Sequence, residues 1–134
     1  MNTYENISYK DFKKKYAYQR AMTVITEMSY LLGETIDSFE KAKFFNKSTK
    51  IAVEIAQGEG CILTDNGKDY HYRKALMYAI QLKKAIEGKL DIGEIKQSDI
   101  TKTILNNLQE IIILTRSYRK ALREKNIIEE IGEK

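Results

Sequence analysis

The chain has no proline and no tryptophan, one cysteine, one histidine and only 7 glycines in 134 residues. Tight turns between strands draw on proline and glycine, so a shortage of both argues against a sheet protein and favours helix. The single thiol, Cys61, has no internal disulfide partner and no second sulfur with which to share a zinc ion. No apolar run approaches the roughly 18 to 20 residues that cross a bilayer, and residues 1–9 are polar and tyrosine-rich rather than basic and then apolar. The sequence therefore predicts a cytoplasmic protein without a membrane segment.

What is present is 43% hydrophobic and 31% charged residues, with a net charge of +4 and a pI near 9.0. That balance permits polyanion binding without requiring it. The length suits one domain, 1–134, able to bury roughly two-thirds of its unfolded surface.

Apolar residues recur at steps of three and four along four segments. The first helix is predicted over 11–32, with Tyr18, Ala21, Met22, Ile25, Met28, Ser29 and Leu32 as its stripe and Gly33 as its stop. Thr35 or Ser38 can cap a second helix over 36–57, with Phe44, Ser48, Ile51, Ala52 and Ile55 inward and Gly58 and Gly60 ending it. Asn66-Gly67 then falls in a loop, because neither flank alternates as strands do. Asp69 is the predicted cap of a third helix over 69–87, with Tyr72, Ala75, Leu76, Ala79, Leu82 and Ile86 inward and Gly88 closing it. Ser98 opens the fourth, over 98–125, with Ile100, Ile104, Leu108, Ile111, Thr115, Tyr118 and Leu122 inward, and residues 127–134 extend it or fray. Four comparable helices with short links predict an all-α, antiparallel up-down four-helix bundle.

The consecutive run from Ile111 to Leu114 puts apolar side chains all around one turn of the fourth helix. Leu105, Ile112 and Ile113 are the residues expected on its outer side, against another subunit or partner, although a helix end tucked under a loop gives the same pattern.

The usual catalytic patterns are missing. No Glu-x-x-His pair exists for a di-metal bundle, since Lys68 stands three residues before His71, and Thr64, Asp65 and Asn66 replace the arginine that helical ribonucleases place ahead of their histidine. Gly58 and Gly60 follow a helix rather than a strand, with no Gly-Lys-Ser/Thr behind them. Glu54 sits among apolar neighbours as a buried carboxylate or a rim residue paired to a lysine. No catalytic residue, metal or cofactor is expected.

Positive charge does recur at helical spacing. Arg116, Arg119, Lys120 and Arg123 share one face of the fourth helix, and the planar guanidinium suits phosphate. Lys43, Lys47 and Lys50 form a similar row on the second helix, and Arg73 and Lys74 add to the third. Tyr16, Tyr18, Tyr72 and Tyr118 lie near these rows in sequence and can stack on unpaired bases. Solvated faces balanced by acids elsewhere have the same spacing, above all for the lysines.

Several stretches carry a family resemblance. Phe12-Lys13-Lys14-Lys15 with Tyr18-Gln19-Arg20-Ala21-Met22, Glu54-Ile55-Ala56-Gln57-Gly58-Glu59-Gly60, and Lys68-Asp69-Tyr70 with Arg73 and Leu76 resemble the bacterial four-helix-bundle proteins of intervening sequences in 23S ribosomal RNA genes. A Ser-Ile-Pro step common in that family is replaced here by Lys50-Ile51-Ala52, an absence shared with the accessory variability determinant proteins of diversity-generating retroelements. The resemblance implies a homopentamer of four-helix subunits that binds RNA and partners a reverse transcriptase; it transfers no catalytic residues. Two functions are thus expected in competition. One is a non-enzymatic, oligomeric, basic scaffold for RNA or an RNA–protein complex. The other is a protein-interaction module, such as a phage or mobile-element accessory or inhibitor, acting through the apolar face of the fourth helix.

Overall fold

The computed structural model describes the backbone of residues 2–33, 38–60 and 64–132 and the side chains of 16–33, 39–60 and 64–125. Cys61, Thr35 and the side chains of Lys13, Lys14 and Lys15 lie outside the described residues. Within them are four helices and no strand, so the chain is all-α: α1 (Asn2–Leu32), α2 (Ser38–Gly60), α3 (Asp65–Asp91) and α4 (Asp99–Gly132).

Every helix is longer than its spacing predicts, for local reasons. No glycine or proline lies between Asn2 and Asp11, so nothing there interrupts α1. Thr64 rather than Asp69 caps α3: in extended backbone (φ −146°, ψ 148°) its hydroxyl accepts a 2.9 Å bond from the Gly67 N–H. Asn66-Gly67 therefore belongs to the first turn of α3, and Asp69 is a turn inside. The stop of α3 is likewise Gly93 and not Gly88. Gly93 adopts φ +78°, the left-handed conformation that glycine tolerates best, and its N–H bonds to the Leu90 carbonyl while Glu94 and Ile95 bond to Lys89. Ile95 then turns back into the core. At the start of α4 the expected Ser98 cap forms a reciprocal pair with Thr101, whose hydroxyl accepts from the Ser98 N–H at 2.9 Å.

Gly58 does not end α2 but serves packing. A β-carbon there would stand 2.9 Å from Cε1 of Tyr72, so the missing side chain is what lets α2 lie against the buried ring.

The buried stripes of α2 and α3 are those the sequence predicts, residue for residue. On α1 Ala21, Met28 and Leu32 are buried as the spacing predicts, but Ala17, Val24 and Leu31 complete the inward face, and Tyr18 and Met22 are exposed. Both faces obey three-and-four spacing, and their centres differ by roughly 70°, less than one residue's step, which spacing alone cannot decide. In α4, Ile112 joins Ile104, Leu108 and Ile111 inside. The buried hydroxyls of Ser48 and Thr115 cost little because each bonds its own helix: Ser48 donates to the Phe44 carbonyl at 2.9 Å and Thr115 to that of Ile111 at 2.7 Å.

Among the described residues α1 packs on α2 and α4, α3 packs on α2 and α4, and the diagonal pairs do not meet. Lys89 of α3 reaches Glu40 at the start of α2 (2.9 Å), and Lys68 reaches the Gly58 carbonyl near its end (3.5 Å). On α4, Asp65 meets Lys125 (3.4 Å) and Asp69 meets Arg119 (2.9 Å). Arg20 of α1 meets Glu110 (2.6 Å) and Asn107 (3.4 Å) of α4. No helix of the described residues is long and apolar enough to cross a membrane.

Candidate nucleic-acid interface

The seam between α3 and α4 is pinned from inside and outside. Inside, the rings of Tyr72 and Tyr118 pack with centroids 5.2 Å apart. Burial, reinforced by the Glu59 carboxylate, pushes both phenols well above their ordinary value, so both stay neutral at physiological pH. The Tyr72 hydroxyl is buried without a hydrogen-bond partner. These two rings are therefore structural, and Tyr16 is covered by the Arg20 guanidinium 4.3 Å from its centroid. Of the four tyrosines expected to stack on bases, Tyr18 alone is exposed.

Outside, the arginine row divides by role. Arg119 is mostly covered and spends its guanidinium on Asp69, whereas Arg116 and Arg123, a turn to either side, are exposed and have no acidic partner among the described residues. Lys120 is exposed, with Glu124 at 3.9 Å on its own helix. Arg73 also belongs to this surface. It lies one turn beyond Asp69 on α3, and Arg116 one turn before Arg119 on α4, so the two stand about 6 Å and 4.5 Å respectively along their own helices from the Asp69–Arg119 pair. Arg73 is exposed and unpaired among the described residues.

On the other flank of α3, Glu54 of α2 is partly buried and paired, its side chain 12% exposed, with Oε2 2.7 Å from Nδ1 of His71 and Oε1 3.9 Å from Nζ of Lys74. Lys74 also stands 4.9 Å from the Tyr70 ring centroid. Hydrogen bonding to Tyr70, more than the Glu54 charge, raises its pKa, so the ammonium is fully charged at neutral pH. The lysine row runs away from this point: Lys50 lies 5.7 Å from the Tyr78 ring, Lys47 is half-buried, and Lys43 stands 5.8 Å from the Phe39 ring. Lysines and arginines thus form two separate tracks on either side of α3.

The outer apolar face expected on α4 is corrected. Ile112 is only 4% exposed and Leu105 is packed against the core, because α4 sits between α1 and α3 and must bury a wide arc; Ile113 alone of the three, 52% exposed, looks outward. Exposed apolar residues occur on the other helices too, among them Tyr18, Met22 and Tyr30 on α1, Phe39, Phe45 and Val53 on α2, and Met77 on α3. The spacing argument also missed Tyr70. Two residues before Tyr72, it falls about 200° from the buried stripe, and that phase could have marked it as an outward aromatic.

Among the described residues no three His, Cys, Asp or Glu side chains converge to hold a metal ion. Comparisons with protein-family profiles, with curated proteins and with solved structures return no match.

Proposed function

We propose that the chain is a non-enzymatic, basic RNA-binding scaffold whose contact surface is the α3–α4 flank. The observation that carries this reading is the exposed set Arg73, Arg116, Lys120 and Arg123, grouped around an Asp69–Arg119 pair that fixes the two helices beside one another. Guanidinium groups with no carboxylate partner among the described residues are available to take phosphate oxygens in bidentate geometry.

The contact registers between successive helices support an antiparallel up-down four-helix bundle forming a single domain. The resemblance seen in the sequence supports the finer terms of the proposal, namely membership of the intervening-sequence family, a homopentamer, a reverse-transcriptase partner and a cytoplasmic location. The subunit contact belongs on α1 and α2 rather than α4. Tyr18, Met22, Phe45 and Val53 carry no charge, so two copies can meet there without the like-charge repulsion that the arginine flank imposes. A partner protein docking on α4 through Ile112 is disfavoured by that residue's burial.

The test is RNA affinity, by fluorescence anisotropy, of the triple variant Arg73→Gln/Arg116→Gln/Arg123→Gln. All three side chains are exposed, so helical content should hold while affinity at moderate salt falls about 100-fold. Unchanged affinity in a folded triple variant refutes the assignment.

A further inference from the structure

The outward face of α3 carries an aromatic ring that the fold does not use. Tyr70 is 50% exposed and lies on the opposite side of the helix from the buried Tyr72. Its ring is nevertheless held from two directions. The His71 imidazole meets it edge-on, with centroids 5.2 Å apart and planes 74° apart, and His71 is itself fixed by the 2.7 Å contact to Glu54. Lys74, one turn along, holds its ammonium 4.9 Å from the ring centroid and is drawn toward the same carboxylate at 3.9 Å. A partly buried carboxylate of α2 thus orients both neighbours of the ring.

A pre-oriented, half-open aromatic between cations has a definite chemistry. Aromatic side chains take the π-face of a nucleobase irrespective of its identity, provided the base is not already stacked in a duplex. The charges needed to carry the backbone past the ring are adjacent: Lys74 on one side, Arg73 about 4.5 Å further along the axis, and Arg116 across the seam. Neither the core nor the seam explains why a phenol is held in the open at this point.

We infer that Tyr70 is a stacking platform for an unpaired base, with Arg73 and Lys74 holding the flanking phosphates, so that the nucleic acid recognised at this flank is single-stranded RNA. This rests on the RNA-binding reading and narrows it, because a duplex engages the arginines but offers no free base to the ring.

The experiment compares the wild-type chain with Tyr70→Leu and Tyr70→Phe, against a labelled single-stranded oligoadenylate of about 12 nucleotides and a blunt-ended RNA duplex of about 12 base pairs, which has no unpaired base. Tyr70→Leu should weaken the single strand about tenfold and leave the duplex within twofold, while Tyr70→Phe, which keeps the ring, should bind both like the wild type. A 2-aminopurine in the single strand should be quenched by the wild type and by Tyr70→Phe but not by Tyr70→Leu. If Tyr70→Leu leaves single-strand affinity unchanged, or weakens both RNAs alike, the platform is overturned while the arginine surface stands. If the wild type binds neither RNA, the RNA reading falls and the platform with it.

Discussion

Where α3 meets α4 the surface is ionic: Asp65 and Asp69 hold Lys125 and Arg119, and arginines with no acidic partner among the described residues stand on either side. On α1 and α2 the exposed side chains that stand out are Tyr18, Met22, Phe45 and Val53, all uncharged. The contrast teaches that one helical scaffold can separate two tasks. Like charges on neighbouring subunits repel, so a basic track for a polyanion and a surface for self-contact are best kept on different flanks.

The largest expected effect breaks the apolar side of that comparison. Met22→Glu/Val53→Glu should reduce the solution molar mass from a multiple of the 15.6 kDa chain to that of one chain, read by light scattering. RNA affinity per chain should change little, since no arginine is touched. A mass equal to one chain in the wild type, or an unaltered assembly in the variant, would remove α1 and α2 as the contact.

A smaller effect sharpens the ionic side. Arg119→Gln and Arg116→Gln remove the same charge, but the first strands Asp69 against α4 and the second strands nothing. Urea titration should show Arg119→Gln destabilised by about 1 kcal/mol and Arg116→Gln unchanged. RNA affinity should rank them the other way, with Arg116→Gln the more damaging. Equal stability losses would mean that the Asp69–Arg119 pair does not hold the seam.

The smallest effect concerns the seam's interior. The phenols of Tyr72 and Tyr118 are raised well above 10.0 in the folded chain by burial, so below that pH both states keep their protons and the contribution to stability is whole. Above it the unfolded chain loses these protons first, and stability should fall as pH climbs toward the folded values. Tyr72→Phe/Tyr118→Phe should flatten the decline above pH 10. At pH 7, Tyr72→Phe alone should be neutral or slightly stabilising, because it removes a buried hydroxyl that no partner satisfies. A clear loss of stability in that variant would contradict the packing described here.

How far the sequence carried depended on what kind of signal each element had. On α2 and α3 one stripe dominates, so Ile51, Ile55, Ala79 and Leu82 could be placed inside from spacing alone. On α1, Ala21, Met28 and Leu32 could be placed inside, but the larger Tyr18 and Met22 competed with Ala17 and Val24 for the rest of the face, and the core takes the smaller pair. Glycines misled for a similar reason. Gly58 and Gly88 read as stops, yet among the described residues Gly93 is the glycine that takes the left-handed conformation, ending α3, while Gly58 yields space to Tyr72. The arginine row was legible as a row. That Arg119 differs from its neighbours was not, because its acid lies 50 residues away on another helix. Tyr70 is legible in the sequence as part of a family-like motif but not as an oriented ring, because its orientation comes from a neighbour fixed from α2.

The central claim is that exposed guanidinium groups on the α3–α4 flank hold phosphate, and salt dependence tests it most directly. The logarithm of single-stranded RNA affinity should fall linearly with the logarithm of salt concentration, and the Arg73→Gln/Arg116→Gln/Arg123→Gln variant should lower the slope by about 2, the equivalent of three phosphate contacts. A wild-type affinity that does not respond to salt, or a variant slope equal to the wild type's, would contradict it.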